Sequence, residues 1–242
     1  MIPSPPTRTP QSGFLYLPPL RVQGYSIAGE ETVVQIPELD ICFDIGLAPR
    51  PVLSANYVAL THGHMDHAAG IAYYFSQRHF MGMGVGTIVC HQALEKPIRN
   101  VMNAWVDLEG QRTPYKIIAL EHNGEIQIKN HVYLRGFETI HTAASLGFVV
   151  VERRNKLKPE LIGLPQEKLL ERKNRGEQIT QTIEVPLVCY TGDTFAGEHF
   201  DRKDVLEAKI LISECTFLEP DHRERASVGK HLHLHVIFLR KL

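Results

Sequence analysis

The run His62-Gly63-His64-Met65-Asp66-His67 places three imidazoles and a carboxylate directly behind the apolar stretch Tyr57 to Leu60. No other feature of the chain restricts its fold as strongly. Side chains two apart on an extended strand point the same way, so His62 and His64 can meet one ion. Asp66 and His67, in the turn that enters a helix, can face a second ion close by. Imidazole nitrogen plus carboxylate oxygen is the ligand set of zinc, and of manganese or iron. Two such ions, roughly 3.5–4 Å apart, hold a water between them. The remaining ligands must then arrive from other strand ends. In VYLRGFETIHTAAS an extended run ends in His141, and in VPLVCYTGDTF another ends in Asp193. Alone, a strand-end aspartate such as Asp193 is more often a helix cap; beside the histidine cluster it reads as a carboxylate between two ions.

The composition permits a packed enzyme core. Of 242 residues, 43% are apolar, and 26 Lys and Arg nearly balance 27 Asp and Glu, so any contact with nucleic acid must come from a local patch. Cys42, Cys90, Cys189 and Cys215 are scattered without a CxxC pair, which argues against a zinc knuckle or a disulfide scaffold and predicts reduced core thiols. No segment approaches the ~20 apolar residues of a membrane span, and the opening lacks a signal-peptide pattern. The expectation is a soluble, cytoplasmic protein with no membrane partner.

Residues 1–20 are rich in proline and predict an extended arm. YSIAGE, TVVQIP and LDICFDIG then predict consecutive antiparallel strands. From NYVALTHGH to YKIIAL, strands alternate with helices; three further strands run from EIQIKN to LGFVVVERR, and a charged helix closed by Gly176 follows. VPLVCYTGDT and KILISECTF are strands on either side of a short helix near Asp204 to Ala208. Two sheets with helices on their outer faces, in a single domain over 1–242, suit this order better than one doubly wound sheet.

With these motifs the chain resembles the metallo-β-lactamase superfamily, an α/β class with a four-layer αββα sandwich and metals at the sheet edges. FDIG (Phe43 to Gly46) looks like its early aspartate motif. HTAASLGFVV and SECTF (Ser213 to Phe217) resemble two motifs of the ribonuclease Z branch, and the likeness extends from about Val33 to Leu234. The resemblance implies a zinc-dependent hydrolase, a phosphodiesterase and endoribonuclease that uses a metal-bridged hydroxide to cleave the 3′ trailer from precursor transfer RNA. It further implies that His62, His64 and His141 bind one Zn2+ and Asp66 and His67 the other, with Asp193 bridging. Asp66 would also orient or deprotonate the water. A leaving-group acid falls to His231, oriented by Glu214, with His233 as the competing choice.

The chain departs from that branch in two places. The transfer-RNA-gripping arm is replaced by a short basic insertion over 152–182, where Glu152 to Arg175 holds eight Lys or Arg against four Asp or Glu. This patch reads either as a phosphate contact or as a solvated helix with Lys168–Glu171 and Glu171–Arg175 pairs. At the end, HLHLHVIFLRKL carries no counterpart of the family's last histidine motif, so the C-terminal part looks shortened. Either the last strand is missing or His233 or His235 substitutes, and the second metal is expected to bind more weakly. The apolar VIFL suggests a homodimer. Two alternatives stay open: a hydrolase of a small thioester, lactone or cyclic nucleotide, and a degenerate relative without catalysis.

Overall fold

The computed structural model describes residues 12–217 and 222–232. The first sheet has seven strands in sequence order: β1 (Gly13–Leu17), β2 (Leu20–Ile27), β3 (Glu31–Ile36), β4 (Ile41–Phe43), β5 (Tyr57–Leu60), β6 (Thr87–His91) and β7 (Lys116–Leu120). Pairing is antiparallel from β1 to β4 and parallel from β4 to β7. The parallel half is possible because helices make the return: α1 (Met65–Ala68) and α2 (Ile71–Phe80) follow β5, and α3 (Gln92–Glu109) follows β6. The second sheet runs β12-β11-β10-β9-β8, built from β8 (Glu125–Lys129), β9 (Val132–Glu138), β10 (Leu146–Leu157), β11 (Thr180–Tyr190) and β12 (Ile210–Ile212). Only β11 and β12 are parallel there, linked through the short α5 (Lys203–Leu206).

The period of two along the strands sorts the apolar residues into layers. Val34, Ile36, Ile41, Phe43, Ala59 and Val89 of the first sheet meet Leu134, Phe148, Val150, Val188 and Tyr190 of the second. The alternate residues Val33, Cys42, Val58, Leu60, Ile88 and Cys90 face Tyr74, Phe75, Ile98 and Met102 of the helices. On the far side, Phe137, Val149, Val151 and Cys189 pack with Phe200, Val205 and Leu232. The result is the four-layer αββα sandwich expected from the sequence. Among the described residues no helix is long and apolar enough to cross a membrane.

Several expectations need correction. Residues 13–17 of the supposed arm are a strand paired with β2, because the Pro18-Pro19 turn folds them back onto it; residues 1–11 lie outside the described set. The 152–182 segment, expected as a short basic insertion, is built as a hairpin. Its two ends continue β10 and β11, and between them stand a 3-10 turn (Pro159–Leu161), with Leu161 buried, and α4 (Gln166–Asn174), with no buried residue. Instead of the expected helix pairs, Arg172 and Arg175 lie 3.5 Å from Glu177 in the loop beyond. Cys42, Cys90 and Cys189 are buried, but Cys215 is exposed, since its loop leaves β12 for the protein surface.

One buried cation clamps the helical layer. Arg78 in α2, 2% exposed, donates to the carbonyls of Leu53 (2.6 Å), Ala55 (3.0 Å), Met83 (2.9 Å) and Gly84 (3.3 Å), and to Asn56 Oδ1 (2.6 Å). Arg78→Met keeps most of the packed stem and orphans these acceptors. It is expected to cost about 3 kcal/mol in denaturant unfolding; a loss below ~1 kcal/mol would show that water replaces the guanidinium.

Candidate metal centre

Parallel strands deliver their C-terminal ends to one edge of the sandwich, and the polar residues that follow them collect there. Asp44 follows β4, Thr61 and the histidine run follow β5, Asp193 follows β11, and Glu214 follows β12. His141 and Asp193 each lie three residues beyond the ends of β9 and β11, so both are loop residues instead of strand ends. Leu146 N donates to Thr61 O (2.9 Å) and stitches the His141 loop across to the first sheet. Gly192 has φ +61°, and a Cβ there would lie 2.7 Å from the Thr61 side chain; this bare backbone lets the Asp193 loop close on the β5 end.

At the base of the cluster Asp44 is fully buried. Its carboxylate accepts from Thr61 N (2.8 Å), Thr61 Oγ1 (2.8 Å), His67 Nδ1 (2.8 Å) and the Tyr190 hydroxyl (3.1 Å). These contacts fix tautomers, because a carboxylate can only accept. His67 must carry a proton on Nδ1, which turns Nε2 toward the cluster. The single proton of the Thr61 hydroxyl goes to Asp44, so that oxygen accepts from His62 Nδ1 (3.0 Å) and again Nε2 is left for a ligand. Lys230 O does the same for His141, accepting from Nδ1 at 3.2 Å.

The freed nitrogens converge. His64 Nδ1 lies 3.0 Å from His62 Nε2 and 3.2 Å from His141 Nε2, three nitrogens with at most one proton to share among them. A cation satisfies all three at once. Beside them His67 Nε2 lies 3.6 Å from Asp66 Oδ2 and 3.5 Å from Asp193 Oδ1. One ligand atom each from His62, His64 and His141 lies within 4.8 Å of the others, and so do atoms from His62, His67 and Asp193. The donor chemistry fits divalent metal, two positions sharing one edge.

The electrostatics agree with that use. Burial lowers the pKa of His62 to about 4 and also lowers that of His141, which keeps both rings neutral at pH 7 as ligands must be. Burial opposes the charged form of His67 as well, yet the Asp44 and Asp193 carboxylates outweigh it and raise its pKa to about 11. A proton on His67 occupies the place where the carboxylates draw a cation. For Asp193, too, burial is outweighed, here by hydrogen bonding and charge from His67, and its pKa falls to about 2.

A cleft of about 580 Å³ opens over the cluster, lined by Gly29 and its β2–β3 hairpin, by Asp66, His67 and Asp193, and by Ser213 to Phe217 with His231. The Gly29 N–H donates to Asp66 Oδ2 (3.0 Å), leaving Oδ1 uncommitted to it. At the opposite lip His231 Nδ1 stands 3.2 Å from Glu214 Oε2. Glu214 is itself held by Thr194 N (2.5 Å) and by the Thr216 hydroxyl, and burial pushes its carboxyl up.

The fold therefore brings His62, His64, Asp66, His67, His141, Asp193, Glu214 and His231 to one edge of the sandwich, all but His62 and His141 lining the cleft. His233 and His235 lie outside the described residues. Reading the sequence by motif missed the orienting partners. Asp44 sits in the FDIG segment, but its hub role has no linear signature; Tyr190 reads as an ordinary strand residue, and the Gly29 and Lys230 contacts are made by backbone.

No protein-family profile matches the chain. It is 32% identical over 216 residues to a tRNase Z of Arabidopsis thaliana, covering 88% of this chain and 77% of that protein. A chloroplastic tRNase Z of the same plant is 29% identical, with 88% and 61% covered. Among solved structures, a metallo-β-lactamase fold protein of Bacillus subtilis superposes with a TM-score of 0.54 at 16% identity, over 86% of this chain and 72% of that one. The short form of human tRNase Z gives 0.53 at 17% identity, over 92% and 82%. These two share the fold, and the first relative carries the closer assignment: the chain belongs to the tRNase Z, or ribonuclease Z, family of metallo-β-lactamase fold proteins.

Proposed function

We propose that the chain is a two-metal phosphodiesterase that cuts precursor transfer RNA at its 3′ trailer. The observation that carries this reading is the convergence of three oriented imidazole nitrogens beside the Asp66, His67 and Asp193 group. In this reading His62 Nε2, His64 Nδ1 and His141 Nε2 would hold one ion and Asp66 and His67 Nε2 the other, with Asp193 shared between them. The nitrogen and oxygen donors favour zinc, with manganese or iron as substitutes. When bound, the ions supply a water nucleophile at neutral pH and positive charge against the phosphodiester oxygens.

The chain's own residues do the rest. Gly29 fixes Asp66 through Oδ2, so Oδ1 orients the attacking water and takes its proton. Water adds to phosphorus, the bond to the ribose oxygen breaks, and that oxygen needs a proton. Glu214 holds His231 by Nδ1, which aims Nε2 to deliver it. Asp44 keeps His62 and His67 in the ligating tautomer throughout.

The RNA is bound by more than the centre. Lys168, Arg172, Lys173 and Arg175 lie on or beside α4, at the tip of the β10–β11 hairpin and free of core packing; they suit backbone phosphates. A homodimer is also part of the proposal. Its support is an exposed apolar face next to the histidine run, with Met65 76%, Val101 47%, Trp105 44% and Leu108 74% exposed; a monomer at all concentrations in sedimentation velocity would remove it. The proposed location is the cytoplasm, although one relative is chloroplastic, and a fluorescent fusion found in an organelle would overturn it.

Asp66→Ala is expected to abolish cleavage of both precursor transfer RNA and a bis-aryl phosphodiester, with thermal unfolding unchanged within a few degrees; retained turnover would sink the two-metal mechanism. Lys168→Glu with Lys173→Glu is expected to raise KM for precursor transfer RNA about tenfold and flatten its salt dependence, leaving the bis-aryl diester untouched. An unchanged RNA KM would remove the hairpin tip from the RNA-binding surface.

A further inference from the structure

Asp193 has two faces. Its Oδ1 looks toward His67 Nε2 at 3.5 Å, inside the cluster assigned to the two ions, while its Oδ2 lies 3.7 Å from His231 Nδ1. That same nitrogen stands 3.3 and 3.2 Å from the two oxygens of Glu214. One ligand atom each of Asp193, Glu214 and His231 lies within 4.8 Å of the others. Tetrahedral ligands at ~2.0–2.2 Å from an ion are ~3.2–3.6 Å apart, so modest side-chain rotation closes the gap. The group is also built to stay in place, because Thr194 N and the Thr216 hydroxyl anchor Glu214.

We propose that Asp193, Glu214 and His231 form a third, low-affinity divalent-metal site, and that filling it switches the enzyme off. The inference rests on the two-ion reading given above. This site fills last, since its ion shares Asp193 with ions already present and feels their charge, and must break the His231–Glu214 hydrogen bond. Binding takes the lone pair of His231 Nδ1 and releases the proton held there to solvent. His231 is then held by the ion and no longer by Glu214, which had aimed its Nε2, and the departing ribose oxygen goes without its proton. Activity should rise as the first two ions bind and fall as the third does.

The test uses the full chain loaded with two equivalents of zinc and titrated with more, following bound metal by equilibrium dialysis and turnover on the bis-aryl diester. A third binding event at least ~100-fold weaker than the first two is expected, with turnover falling at least ~tenfold as it saturates. His231→Gln and Glu214→Gln, examined for binding alone, should each keep the tight ions and lose the weak event. The inference is overturned if the weak event is missing, if turnover stays level while it fills, or if it survives in either variant, which would put the ion elsewhere, for example on His233 and His235. The number of tight ions tests the two-ion reading separately. Fewer than two would count against that reading, while the difference between wild type and variants still decides this one.

Discussion

A carboxylate fully buried in the protein, as Asp44 is, survives only if its lone pairs find donors, and Asp44 finds four. Two of those donors come from Thr61 at the end of β5, one from His67 in α1, and one from Tyr190 at the end of β11 in the other sheet. Satisfying Asp44 therefore fixes where the two sheets meet and which way the histidines turn. The residue also takes a left-handed backbone at φ 55°, which folds the chain away from β4 so that its carboxylate points back at the cluster. Burial energy from the sandwich supports this arrangement, and the arrangement in turn sets the chemistry of the edge.

The same economy appears in the loops. Gly192 allows the Asp193 loop to lie against Thr61, Leu146 N ties the His141 loop to the same residue, and Thr194 N reaches Glu214. Each of these loops is thus braced against another, by backbone or side-chain contact. Metal sites need ligands placed more tightly than isolated loops manage, and this mutual bracing supplies the rigidity. Asp66 and His231 stand on opposite lips of the cleft, which is the placement the proposed attack and departure steps require.

Much of this was legible in the sequence because the decisive residues are close together or follow strong apolar runs. H-x-H-x-D-H announces itself within six positions, and TGD and SECTF each terminate a strand whose period of two is plain. What stayed hidden depends on contacts between distant residues. Tyr190 reaches Asp44 across 146 positions, and Lys230 O holds His141 across 89. No local pattern marks a carbonyl as a tautomer-setting partner. The proline-rich opening misled for the opposite reason: composition suggested an arm, but pairing with β2 recruits residues 13–17 into the sheet. Exposure of Cys215 was equally invisible, since its strand ends at Ile212, three residues earlier, and the cleft loop begins at once.

The claim that Asp44 makes the metal centre by holding the histidines is tested most directly by counting zinc in Asp44→Asn. Asn keeps an oxygen for the Thr61 donors but offers an N–H to His67 Nδ1, which makes Nδ1 the acceptor, moves that ring's proton to Nε2 and so spends its ligating lone pair. Metal analysis after dialysis should find two zinc ions per wild-type chain and no more than one per Asp44→Asn chain, with the variant still folded by circular dichroism. Two ions retained in the folded variant would contradict the account.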